Sequence, residues 1–211
     1  MTEMNSQLLT LALLAAGAYL LGAVPFSVLL GRLFLGKDIR AYGDHNPGAA
    51  NVFRAGNPLV GAMAVTLDIG KGIPFVVLGQ KYAEFPATAV LAIGISAILG
   101  HAFSPFLGFK GGKALAVSAG VIIGLLDAGM FFAFFGPALF YALTLESHVW
   151  LAILTPLTSV VILMITRDNL VEAGFMLFMA AVFAFKQAGE IRGAPRLKSR
   201  LVAWLTPNRP G

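Results

Sequence analysis

The chain contains no cysteine, which excludes a disulfide framework, a thiol nucleophile and a thiolate metal site. Charge is scarce as well. Asp, Glu, Lys and Arg make up 12% of the 211 residues, against roughly 25% in soluble domains. Histidine occurs only three times, and no His/Glu cluster has metal-ligand spacing. Repeats, low-complexity tracts and long linkers are also missing, which predicts one polytopic domain over residues 1–211. What fills the chain is apolar: 58% of residues are hydrophobic and the mean hydropathy is +0.83. That composition belongs to an integral membrane protein. The 24 glycines suit helices that approach closely in lipid.

A membrane helix needs about 20 mostly apolar residues. Seven segments qualify as an all-α bundle of about seven transmembrane helices: Leu8–Leu35, Pro58–Leu78, Pro86–Phe106, two short helices within Ala114–Leu145 that turn near Asp127, His148–Thr166 and Asn169–Phe185. The residues before Leu8 carry no basic run, so the first segment reads as a retained span rather than a cleaved signal. Basic residues gather in 37–57, in 106–113 and in the tail 186–211, which includes Lys186, Arg192, Arg196, Lys198, Arg200 and Arg209. Seven spans place these three regions on one side. By the positive-inside rule that side is cytoplasmic, with the N-terminus outside and the C-terminus cytoplasmic. The net charge of +5 is thus distributed in short interhelical stretches. Such stretches suit phosphate groups and lipid surfaces, not nucleic acid.

Three stretches carry the chemistry. Gly100-His101-Ala102-Phe103-Ser104-Pro105-Phe106 runs into Gly108-Phe109-Lys110-Gly111-Gly112-Lys113. Two lysines flanking two glycines can bring cations and backbone N–H groups to one phosphate. Orientation alone needs no glycines. The stretch is not a Walker A loop, because Leu107 stands at its first glycine position and Ala114 replaces the Ser/Thr. Gly43-Asp44-His45-Asn46-Pro47-Gly48-Ala49-Ala50-Asn51-Val52-Phe53-Arg54 predicts a helix starting near Gly48, with Asn51 and Arg54 three apart on one face. A helix N-terminus with an arginine in its second turn suits phosphate. A capping loop with snorkelling cations is the plainer reading. In Asp68-Ile69-Gly70-Lys71-Gly72 the acid and base either neutralise each other across one turn, or Lys71 faces a polar cavity with Asp68 orienting it. Neither Gly-x-Ser-x-Gly nor a His-x4-Asp dyad is present: five residues after His45, His101 and His148 stand Ala50, Phe106 and Ile153. A conventional dyad or triad is unsupported.

Taken in order, these stretches resemble the bacterial acyl-phosphate-dependent glycerol-3-phosphate acyltransferase family (PlsY). The resemblance is carried by Gly22-Ala23-Val24-Pro25-Phe26, Asp38-Ile39-Arg40, Asn46-Pro47-Gly48-Ala49 with Asn51-Val52 and Arg54, the Asp68–Gly72 run and the Gly100–Lys113 run. It implies a seven-helix inner (plasma) membrane enzyme whose active site faces the cytoplasm. The implied reaction moves an acyl chain from acyl-phosphate to the 1-hydroxyl of glycerol 3-phosphate, giving lysophosphatidic acid without cofactor or metal. By the same resemblance Arg54 and Lys113 are the catalytic cations, and Asn46, Gly48, Asn51, Asp68, Lys71, His101, Lys110, Gly111 and Gly112 bind substrate or phosphate. Its partners are acyl-phosphate, glycerol 3-phosphate and membrane lipid. Family members usually read Gly-Ser-Gly-Asn where this chain has Gly43-Asp44-His45-Asn46, and Ala50 replaces a common threonine. An aspartate beside two phosphorylated substrates requires a cationic partner such as Arg54. The alternative class is a non-catalytic membrane protein that binds phosphorylated lipid or lipid precursors.

Overall fold

The computed structural model describes residues 2–201, so Arg209 of the basic tail lies outside the described residues. Among them the regular structure is helical, with one isolated antiparallel bridge between Leu145 and Leu197. The chain divides into two compact units, residues 1–127 and 128–211.

The first unit holds α1 (Thr2–Ala23), α2 (Phe26–Leu35), α3 (Ala49–Arg54), α4 (Pro58–Gly70), α5 (Pro74–Val77), α6 (Ala87–Ala102) and α7 (Leu115–Gly124). The continuous helix expected over Leu8–Leu35 is instead two helices, and the first begins upstream at Thr2. Proline explains the break. Pro25 has no N–H to bond backwards and serves as the N-cap of α2, with its carbonyl accepting from Leu29 N at 3.0 Å. The break leaves the Val24 carbonyl available to a side chain, and Lys71 takes it.

α1 packs along α6. Gly22 and Gly100 permit this approach, since a Cβ on either would overlap main-chain atoms of the other helix. Two hydroxyls then tie the end of α1 to the turn after α6. Tyr19 Oη donates to the Phe103 carbonyl at 3.1 Å, and Ser104 Oγ donates to the Ala23 carbonyl at 2.6 Å. α4 packs against both α2 and α7. Asn57 caps α4 by accepting from Leu59 N and Val60 N at 3.0 and 3.1 Å, with Pro58 in the first turn where no N–H is needed. Lys37 closes the far end of α3 by donating to the Ala55 carbonyl at 2.8 Å.

The second unit holds α8 (Ala128–Thr144), α9 (His148–Arg167) and α10 (Leu170–Lys186), each packed against the next. The turn expected near Asp127 is where α7 ends and α8 begins. Gly136-Pro137 lies inside α8 without ending it. Proline at 137 leaves the carbonyl of residue 133 without its helical N–H. Ser159 Oγ on α9 donates to that Ala133 oxygen at 2.7 Å, which repairs the loss. Ser147 and Asn169 cap α9 and α10.

Four apolar stretches are long enough to cross a bilayer: Glu3–Leu35, Pro58–Tyr82, Ala87–Leu107 and His148–Arg167. Leu115–Gly124 and Ala128–Thr144 are apolar but shorter. A ten-residue helix such as α7 rises only about 15 Å. Large side chains such as Leu33, Leu59, Phe132, Leu139 and Ile165 stand exposed on these helices, as lipid-facing residues do.

Candidate active site

The first unit brings the three polar stretches together. Asp44 lies at the centre. Its Oδ2 is 2.6 Å from Lys113 Nζ, and its Oδ1 is 3.5 Å from Arg54 Nη1. Oδ1 also accepts from Asn51 Nδ2 at 2.9 Å and from Asn46 N at 3.3 Å. Arg54 in turn donates to Asn51 Oδ1 at 2.7 Å, so the two residues do share one face of α3. Asn51 is buried and its Nδ2 additionally reaches the Asn46 carbonyl at 2.8 Å. Sequence pairs Asp44 with Arg54, its neighbour in the same loop. The close partner is Lys113, which the fold delivers from 69 positions away.

Burial raises the Asp44 pKa, but the hydrogen bond and charge of Lys113 outweigh it and hold the carboxyl below its ordinary value of 3.8. Asp44 is therefore ionised at neutral pH. The loop that aims it is braced one step upstream. Arg40 grips Asp38 with two hydrogen bonds, Nε to Oδ1 at 2.9 Å and Nη2 to Oδ2 at 2.6 Å, which holds the Asp38 carboxyl far below the usual carboxylate range. The Arg40 carbonyl then accepts from His45 Nδ1 at 2.9 Å. His45 sits at φ +59°, a left-handed conformation that costs a side-chain-bearing residue roughly 1–2 kcal/mol. The bond to Arg40 offsets part of that cost.

Beside this cluster lies a small, partly open cleft lined by Pro47, Asp68, Lys71, His101, Ser104 and Gly112, among others. Asp68 and Lys71 are both buried and pair at 2.8 Å. Of the two readings open from the sequence, mutual neutralisation is realised, and the pair stands at the wall of this cleft. Lys71 Nζ also donates to the Val24 carbonyl at 2.9 Å, and Ser27 Oγ donates to Asp68 Oδ2 at 2.7 Å. Removing one partner of a buried ion pair strands the other, at roughly 3–5 kcal/mol. Asp68→Asn is accordingly expected to lower stability by about that amount. Thermal unfolding in detergent checks it, and an unchanged midpoint contradicts it.

His101 is half-buried on this cleft, and its carbonyl accepts from Gly112 N at 3.0 Å. One of the N–H groups expected to face an anion is thus engaged by α6, and the glycine pair fixes the turn against that helix. Lys110 is exposed, while Lys113 is half-buried and directed at Asp44. Gly48 is the N-cap of α3, and Gly111 is buried against the end of α6. Sequence reasoning does not single out Ser27 or Ser104. The only signal for either is a hydroxyl near a proline at the break of an apolar run. Among the described residues no group of three or more His, Asp or Glu gathers as metal ligands.

Residues 12–194 match the family model described as glycerol-3-phosphate acyltransferase. The chain belongs to that family. A glycerol-3-phosphate acyltransferase of Anaeromyxobacter dehalogenans (strain 2CP-1 / ATCC BAA-258) is 43% identical over 144 residues, covering 65% of this chain and 70% of the relative. One from Aromatoleum aromaticum is 35% identical over 183 residues, covering 85% and 90%. In fold, the chain is similar to the crystal structure of PlsY, an integral membrane glycerol 3-phosphate acyltransferase, in its glycerol 3-phosphate form. The TM-score is 0.74 at 23% identity, over 94% of each chain. The lysophosphatidic acid form of that protein matches with a TM-score of 0.70 at 21% identity, over 94% of this chain and 93% of the other. Membership and helix composition together make this chain a membrane-embedded member of the acyltransferase family.

Proposed function

We propose that the chain transfers an acyl group from acyl-phosphate to the 1-hydroxyl of glycerol 3-phosphate, releasing inorganic phosphate and lysophosphatidic acid. The observation that carries this reading is the convergence of Lys113 Nζ and Arg54 Nη1 on a single oxyanion, the Asp44 carboxylate. Two cations that close on one carboxylate are placed to hold a phosphate oxygen. Family membership and the names of its relatives support the same substrate.

An acyl-phosphate is a mixed anhydride and already activated, so the protein supplies position and charge rather than a strong base. The acceptor hydroxyl attacks the carbonyl carbon, the carbonyl–phosphate C–O bond breaks, and the hydroxyl proton passes to a phosphate oxygen. Lys113 and Arg54 hold phosphate and stabilise the charge developing at the attacked carbonyl. Asn46, Gly48, Asn51, Asp68, Lys71, His101, Lys110, Gly111 and Gly112 shape or line the phosphate-binding surroundings. In our reading the chain is one polytopic domain of seven spans in the inner (plasma) membrane. Its N-terminus is outside, and the site and C-terminus face the cytoplasm, where the basic stretches fall.

The test is direct. Purified protein in detergent or a lipidic phase receives acyl-phosphate and glycerol 3-phosphate, and lysophosphatidate and free phosphate are measured. Equal amounts of both, dependent on each substrate, are expected. Folded protein that binds phosphate yet yields no lysophosphatidate would favour the non-catalytic lipid-binding alternative.

A further inference from the structure

We infer that Asp44 is a resident anion of the phosphate site, a carboxylate that occupies the cations until substrate phosphate displaces it, and so sets how tightly phosphorylated substrates are held. The inference rests on the reading of Lys113 and Arg54 as phosphate-binding groups.

The Asp44 carboxylate is held unevenly. Oδ1 belongs to its own loop, accepting from Asn51 Nδ2 and Asn46 N, with Arg54 Nη1 further off at 3.5 Å. Oδ2 reaches out of the loop to Lys113, and that 2.6 Å contact is the short one. Lys113 is the cation with less solvent around it, 17% exposed at its side chain against 52% for Arg54. A phosphate dianion entering the cluster meets the Asp44 carboxylate where its own oxygen would lie. Like charges at hydrogen-bonding distance repel, so the two anions do not share the ammonium comfortably. The loop is positioned to hold the carboxylate there: His45 is fixed by its bond to Arg40, and Arg40 is fixed by Asp38.

A scaffold role would carry the opposite sign. If Asp44 served only to gather Lys113 and Arg54 for phosphate, its removal would scatter the cations and weaken binding. A resident anion does the reverse. Exchanging its bond to the ammonium for one to phosphate costs the ligand the strength of one charge-assisted hydrogen bond. Its removal is therefore expected to tighten binding by about 10- to 100-fold.

The experiment measures binding of glycerol 3-phosphate and of inorganic phosphate by isothermal titration to full-length protein in detergent, comparing wild type with Asp44→Asn and Asp44→Ser. Asn preserves shape, and Ser preserves a short acceptor for Asn46 N, so at least one folded variant decides the matter. A Kd lowered at least tenfold for both ligands is expected. An unchanged or raised Kd in a variant with a normal unfolding midpoint overturns the inference. Turnover is assayed on the same samples. Active protein with an unchanged Kd overturns the resident-anion reading and keeps acyl transfer. Tightened binding without turnover supports the resident anion while removing the transfer reading.

Discussion

Lys113→Ala is expected to reduce kcat/KM for acyl transfer by about 10²- to 10³-fold, the scale associated with losing one preorganised donor to a developing oxyanion. Placement is the reason. Lys113 is the half-buried cation at the meeting of the two loops, with its Nζ 2.6 Å from the carboxylate that marks the anion position. Its loss removes a positive charge from the site but leaves Asp44 with Asn51, Asn46 N and Arg54. Stability is thus expected to change by no more than about 1 kcal/mol, the usual value of a partly solvated pair. Lys110→Ala is the contrast, since that side chain is exposed in the same turn. It is expected to lower the rate by less than tenfold. Initial rates of phosphate release, with unfolding midpoints as control, check both. Wild-type turnover in Lys113→Ala would remove this lysine from the chemistry.

Much of the fold is legible in the sequence because lipid enforces a simple rule: backbone polar groups bond internally, so long apolar runs become helices. The boundaries of α9 and α10 and the turn near Asp127 follow from where Ser147, Asp168-Asn169 and Asp127 interrupt hydropathy. The break at Pro25 is harder to read, since Leu8–Leu35 is apolar on both sides of it. Pro137 behaves in the opposite way. It is also a proline in an apolar run, yet α8 continues because Ser159 supplies a donor from the neighbouring helix. A single sequence shows the proline but not the hydroxyl that will face it.

The site divides the same way. Contacts within one turn are readable: Asn51 with Arg54 and Asp68 with Lys71 follow from helical spacing. Contacts between distant loops are not. Asp44 calls for a cation, and Arg54, the local choice, reaches it at 3.5 Å, but the closer partner at 2.6 Å is Lys113, which the fold brings from the turn after α6. Ser27 meeting Asp68 from 41 residues away is of the same kind. Periodicity assigns faces, and only the packing of helices decides which faces meet.

Gly111→Ala tests that packing most severely. A Cβ at Gly111 would overlap the His101 carbonyl oxygen and lie 2.8 Å from the carbonyl carbon and oxygen of Ala102. These are backbone atoms at the end of α6, and they have little room to yield. Gly100 seats α6 against α1, while Tyr19 and Ser104 fasten the following residues to the same helix. The turn must move instead, breaking the Gly112 N–H bond to His101 and drawing Lys113 away from Asp44. Overpacking of this kind costs about 1–3 kcal/mol, and a displacement of about 1 Å at a reacting group can cost roughly 10²-fold in rate. Gly111→Ala is therefore expected to lose on the order of 100-fold in kcat/KM together with a lowered unfolding midpoint. Gly70→Ala is the control, because nothing lies within 4 Å of the added carbon and its φ is not left-handed. It is expected to change stability by no more than about 0.5 kcal/mol. Near-normal rate and midpoint in Gly111→Ala would mean that the turn holds Lys113 without leaning on α6.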